Sequence, residues 1–192
     1  MILASKSPRR KEILENIGFN LVIKSEDIEE VSDKVEVVEK IKDIAYKKVE
    51  AVAKKYPNEY VVGADTIVEV DGDIIGKPKD EEEAKKILQR LSNRSHNVIT
   101  AFSFINKSKD ICIKDVAITK VYFKELSSEM TEWYIASKEP MDKAGAYGIQ
   151  DKGSIFVEKI EGDFFTVMGF PIERFMERLN ELGIKLKDIE RI

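Results

Sequence analysis

Cysteine and histidine are almost missing from these 192 residues: Cys112 and His96 are single occurrences. One cysteine excludes a disulfide framework and a thiolate-based metal site. One histidine, in strand-like sequence with no second histidine or cysteine nearby, leaves a Ser-His-Asp or Cys-His mechanism little to stand on, and His96 reads as structural. Long apolar runs are also lacking. The opening Met1-Ile2-Leu3-Ala4 meets Lys6 at once, too short for a signal peptide or a membrane span, so a soluble, cytoplasmic protein is expected. There is no basic excess either. A net charge of −4 argues against a general nucleic-acid binder while allowing a local basic pocket. Neither the phosphate loop Gly-x-x-x-x-Gly-Lys-Ser/Thr nor the dinucleotide turn Gly-x-Gly-x-x-Gly occurs, and repeats, low-complexity tracts and linkers are absent.

What is abundant is charge, at 35% of residues, carried mainly by Lys and Glu with only Gln89 and Gln150 as glutamines, a bias also seen in proteins of thermophiles. The length suits one well-buried α/β domain spanning 1–192. Pro8 to Ile17 reads as a helix stopped by Gly18, Asn20 to Lys24 as a short strand, and 25–34 as an acidic loop. Val37 to Lys55 is a long amphipathic helix ended by Pro57. Tyr60 to Ala64 and Thr66 to Val70 are strand material interrupted by Asp65. Asp80 to Glu83 has capping-box spacing for a helix running to about Leu91. Val98 to Asn106 and Ile111 to Phe123 predict an antiparallel hairpin, Ser127 caps a helix through Ile135, and Ile155 to Ile160 with Phe164 to Met168 predict a second hairpin. Pro171 opens a last helix ending near Gly183. Front βα units followed by hairpins predict an α/β fold with a mixed sheet.

Chemistry concentrates in a few segments. Leu3-Ala4-Ser5-Lys6-Ser7-Pro8-Arg9-Arg10 is a strand-to-helix turn, with backbone N–H groups, two hydroxyls and two guanidinium groups suited to a phosphate. An N-cap serine with surface arginines accounts for the same residues. Asp65 is an acid in an apolar strand, where it needs a partner, and Gly63 and Ala64 are expected to leave room for a ligand at the backbone. Glu29 and Glu30 lie in the acidic loop; one of them beside Asp65 makes a Mg²⁺ site completed by substrate phosphates. Gly76-Lys77-Pro78 and the glycine-rich Asp142-Lys143-Ala144-Gly145-Ala146-Tyr147-Gly148-Ile149-Gln150 each present a lysine on small, close-approach backbone.

In this order these segments, with Gly169-Phe170-Pro171, resemble the Maf family of nucleoside triphosphate pyrophosphatases over nearly the whole chain. The resemblance implies an elongated mixed sheet with flanking helices, two lobes around a cleft, a fold like that of the inosine triphosphate pyrophosphatases, and a homodimer. It implies hydrolysis of a nucleoside triphosphate between the α- and β-phosphorus atoms with a divalent metal, Mg²⁺ or Mn²⁺. Carried over by position, Ser5, Arg9 and Arg10 hold the phosphates, and Lys48, Lys77 and Lys143 neutralise them. Asp65 binds the metal or takes a proton from the attacking water, with Glu30 as a second acid for either task. Thr66 and Gln150 match the subgroup acting on dTTP and UTP, and a glutamine amide complements the O4 and N3–H edge of uracil or thymine. A pyrophosphatase for methylated GTP and a regulator of cell division that binds nucleotide without turnover are the alternatives. Three positions depart from the usual family pattern: Val49 for alanine, Asn93 for glycine and Phe170 for leucine.

Overall fold

The structure is a computed structural model that describes all residues, Met1 to Ile192. In chain order the elements are β1 (Ile2–Leu3), α1 (Pro8–Ile17), β2 (Val22–Ile23), α2 (Val37–Lys55), β3 (Val61–Val70), β4 (Asp73–Ile75) and α3 (Glu81–Leu91). There follow β5 (Ser95–Asn106), β6 (Ile111–Phe123), α4 (Ser128–Ala136), β7 (Val157–Glu161), α5 (Phe164–Met168) and α6 (Ile172–Glu181). Seven strands form one mixed sheet of order β2-β1-β3-β5-β6-β7, with β4 paired to β3. β1 is parallel to both β2 and β3, whereas β4 and β7 run antiparallel to their partners. This is the expected α/β class with a mixed sheet.

The chain divides into two compact units. Met1–Asp65, Thr100–Ala117 and Gly169–Ile192 form the first; Thr66–Ile99 and Ile118–Met168 form the second. In the first, α2 lays Val49, Val52 and Ala53 against Ile2, Ala4, Val61 and Ile105. An aromatic cluster completes it, with Phe175 of α6 packed edge-on against Phe102, Phe104 and Phe170. Phe170, one of the family departures, is therefore fully buried packing. In the second unit Val68, Leu88, Val121, Phe123, Tyr134, Tyr147 and Phe156 share one core.

Helix boundaries follow the sequence closely because each is chemically marked. Gly18 ends α1 at φ +105, a left-handed position that costs glycine no side-chain clash. Asp80 caps α3 by accepting from the Glu83 N–H at 2.8 Å, while the Glu83 carboxylate reaches one residue further back than a standard capping box, to the Lys79 N–H. Ser127 caps α4 by accepting from the Met130 N–H. Asn93 has φ +56, so the second departure puts the non-glycine residue best suited to the left-handed region where a glycine is usual.

Two expectations need correction. β3 runs unbroken from Val61 to Val70, because Asp65 turns its side chain to a lysine partner and leaves the ladder intact. The second hairpin does not form: β7 pairs with β6, and Phe164–Met168 is helical. Asp163 decides this, since its carboxylate accepts from the N–H groups of Phe165 and Thr166 and from the Thr166 hydroxyl, as an N-cap does. Ile155 and Phe156 likewise belong to a 3₁₀ turn, Lys152–Phe156, preceding β7. Cys112 is exposed, because strand alternation places it on the outer face of β6 with Lys114.

Candidate active site

The turn after β1 is pinned rather than open. Ser5 Oγ accepts from the Ser7 N–H and from Arg10 Nη1, both at 3.2 Å, and Ser7, although at the N-cap position, makes no side-chain cap bond. Arg10, in the first turn of α1, also donates from Nε to the Gly169 carbonyl at 2.9 Å. Its guanidinium is pressed below its ordinary pKa by burial; Asp65 opposes the shift, Arg9 adds to it, and Glu30 again opposes it. Arg9, Arg10, Asp65 and Glu30 thus share one electrostatic neighbourhood.

At its centre is Lys48 of α2, whose Nζ lies 2.7 Å from Asp65 Oδ1 and 2.9 Å from Glu30 Oε2. Side-chain exposure separates the two acids: 15% at Asp65 and 60% at Glu30. Asp65 is the sheltered anchor, needing a cationic partner to offset its desolvation, and Glu30 reaches in from the loop before α2. Spacing alone left Glu29 and Glu30 open and the resemblance pointed to Glu30; Lys48 pairs with Glu30 as well as with Asp65. Gly63 serves packing: a Cβ there would sit 2.8 Å from Val49 Cγ2 and 3.3 Å from Ala4. Glycine two positions before Asp65 lets α2 close onto β3, instead of leaving room for a ligand as the sequence suggested, and Val49, the remaining departure, fills that space.

Lys77, Lys143, Thr66 and Gln150 belong to the second unit. Lys77 is exposed in the loop between β4 and α3, and that loop is joined to the glycine-rich segment by the Gly145 N–H donating to the Gly76 carbonyl. Lys143 is buried. Its ammonium donates to the Glu139 carbonyl and to Asp142 Oδ1, each at 2.9 Å, with Asp151 Oδ2 4.0 Å away. A Cβ on Gly148 would lie 2.6 Å from Lys143 Cε, so the lysine stem as placed crosses directly over the glycine. Thr66 and Gln150 are half-buried at the two ends of this set in sequence.

Sequence reasoning missed what holds the glycine-rich segment. Tyr134, fully buried on α4, accepts from the Gly148 N–H and donates to Glu139 Oε1, both at 3.0 Å. In sequence only its polar tip distinguishes it from an ordinary core aromatic. His96 is structural as expected: Nε2 lies 2.8 Å from the Tyr147 hydroxyl, and the ring packs edge-on against Phe123 and Tyr147. Burial, then Arg94, lowers its pKa to about 4.

The molecule is thus a mixed-sheet α/β protein whose first unit gathers Arg9, Arg10, Lys48 and Glu30 in the neighbourhood of one sheltered carboxylate, Asp65. A Ham1 protein from Coxiella burnetii has the same overall fold, with a TM-score of 0.50 at 15% identity over 94% of this chain and 98% of that one. The family model described as Maf-like protein matches residues 1–182, and the chain belongs to the Maf family. Among its relatives, a protein of Fusobacterium nucleatum named dTTP/UTP pyrophosphatase is 52% identical over the whole of both chains. Proteins of the same name from Alkaliphilus oremlandii and Pyrococcus furiosus are 51% and 47% identical, over 90% and 98% of both chains respectively.

Proposed function

We propose that this chain is a nucleoside triphosphate pyrophosphatase that hydrolyses dTTP and UTP to the nucleoside monophosphate and pyrophosphate. The observation that carries the reading is the 52% identity, over the full length, to a protein named for that activity. The charges around Asp65 suit it, since phosphoryl transfer asks a protein mainly to position groups and compensate negative charge.

In this reading Ser5, Arg9, Arg10 and Lys48 hold the phosphates, and Lys77 and Lys143 add positive charge. Lys143 must exchange its bonds to Glu139 and Asp142 to do so. No group of three or more His, Cys, Asp or Glu side chains is placed to enclose a metal ion. Asp65 and Glu30 offer two carboxylates, and that donor set fits Mg²⁺, which characteristically takes one or two carboxylates plus substrate phosphate oxygens. Bound there, a divalent cation supplies Lewis acidity at the phosphoryl oxygens and lowers the pKa of the attacking water. Asp65, fixed on β3, is the group that accepts the proton, while Glu30 shares the metal. Thr66 and Gln150 read the pyrimidine edge. Following the family resemblance, the active form is a homodimer in the cytoplasm; no helix is long and apolar enough to cross a membrane.

A panel of nucleoside triphosphates with Mg²⁺ tests the base preference. Turnover concentrated on dTTP and UTP, and lost selectively when Gln150 is replaced by glutamate, is the expected result. Equal turnover of purine and pyrimidine triphosphates contradicts it.

A further inference from the structure

Lys48 donates to Asp65 and is ion-paired with Glu30, the two carboxylates proposed to hold the metal, from a position fixed in the fold. Its neighbours Ala45, Val49 and Val52 bury α2 in the first unit, so the backbone beneath Lys48 is immobilised and only the flexible stem can move. The side chain is 18% exposed, and its ammonium donates to Asp65 Oδ1 at 2.7 Å and lies 2.9 Å from Glu30 Oε2. A cation held by the same two carboxylates must displace that ammonium. A sheltered, unpaired lysine would then carry an uncompensated desolvation cost. Polyphosphate oxygens are the natural replacement partner, being anionic and, in the proposed function, delivered to the same neighbourhood by Ser5, Arg9 and Arg10.

We propose that Lys48 is a partner-exchanging counter-ion: bound to Asp65 and Glu30 it opposes metal binding by the free protein, and by moving to the triphosphate it makes metal and nucleotide bind synergistically. The inference rests on the reading of Asp65 and Glu30 as metal-holding groups for a triphosphate. Thermodynamic linkage makes the effect reciprocal, so nucleotide tightens metal by the factor by which metal tightens nucleotide.

Mn²⁺ is the probe, titrated by electron paramagnetic resonance with and without α,β-imido-UTP. For the unaltered chain the analogue is expected to tighten Mn²⁺ by about 10- to 100-fold. Lys48→Met, which keeps an unbranched apolar stem and removes the charge, should bind Mn²⁺ without analogue about tenfold more tightly, and the coupling factor should shrink accordingly. Lys48→Arg retains a cation between the carboxylates and should restore weak binding by the free protein. Unchanged far-UV circular dichroism confirms folding, and Lys48→Gln replaces Lys48→Met if the latter does not fold. Equal or weaker Mn²⁺ binding by the charge-removing variant, an undiminished coupling factor, or no Mn²⁺ binding in any form overturns the inference. The titration without nucleotide is independent of which nucleotide is cleaved and at which bond. Failure of the proposed pyrophosphatase reading and failure of the role of Lys48 therefore show in different measurements.

Discussion

Arg10 Nε donates to the carbonyl of Gly169, 159 residues away in sequence, and so ties the opening turn to the segment that leads into α6. The same guanidinium donates to Ser5 Oγ, so one side chain organises both the turn and its attachment. A phosphate-binding arginine reads from sequence as a surface charge whose loss spares folding. This one has a structural duty as well.

Arg10→Gln is therefore expected to lower stability by about 1.5–3 kcal/mol, the usual range for a lost hydrogen bond to a charged donor, together with a loss of turnover. Arg9→Gln is expected to lose turnover with a smaller change in stability. Urea denaturation of the two variants beside their kinetics checks the contrast.

Tyr134→Phe leaves the aromatic packing in place and removes the acceptor of the buried Gly148 N–H. The expected cost is about 1–3 kcal/mol. Because Gly148 precedes Gln150 by two residues, KM for dTTP and UTP should rise more than kcat falls. Equal stability of the two proteins would show that the hydroxyl does not hold the segment.

At Gly63, substitution tests the fold. A Cβ 2.8 Å from Val49 Cγ2 forces α2 and β3 apart, and Gly63→Ala is expected to cost about 1–3 kcal/mol, as overpacking in closely fitted cores does. Gly63→Ala combined with Val49→Ala should recover part of that loss, which thermal denaturation of the double variant measures.

The pH dependence of stability has a sign set by His96. Its pKa is about 4 in the folded protein against an ordinary 6.5, so the unfolded chain binds more protons between those values. Stability from this group is fully present above pH 6.5 and is lost as pH falls toward 4. From pH 7 to 5 the loss should be about 2 kcal/mol. His96→Gln should flatten that part of the denaturation profile, even though the variant is less stable at neutral pH.

Legibility from sequence depended on whether a residue's partner was local. α2 was read from Val37 to Lys55 because its apolar spacing and Pro57 lie within the segment, and α3 and α4 carry their own caps. Phe164 to Met168 was misread because strand-like apolar residues outweighed one capping aspartate, Asp163, whose N–H and carbonyl are further fixed by Thr119 on β6. Gly63 was given to a ligand because its neighbours Val49 and Ala4 are remote in sequence. The site was legible as a set of residues, through the family resemblance, but its wiring was not. The resemblance singled out Glu30, but only the structure shows its ion pair with Lys48, and Lys143, expected to neutralise phosphates, has its ammonium bonded within its own segment.

The most direct test of the account is to follow UTP hydrolysis in Mg²⁺ by ³¹P NMR, with Asp65→Asn in parallel. Production of UMP and pyrophosphate in equal amounts by the unaltered protein, abolished in the variant, is the predicted result. Release of UDP and orthophosphate, or pyrophosphate production undiminished by Asp65→Asn, would contradict it.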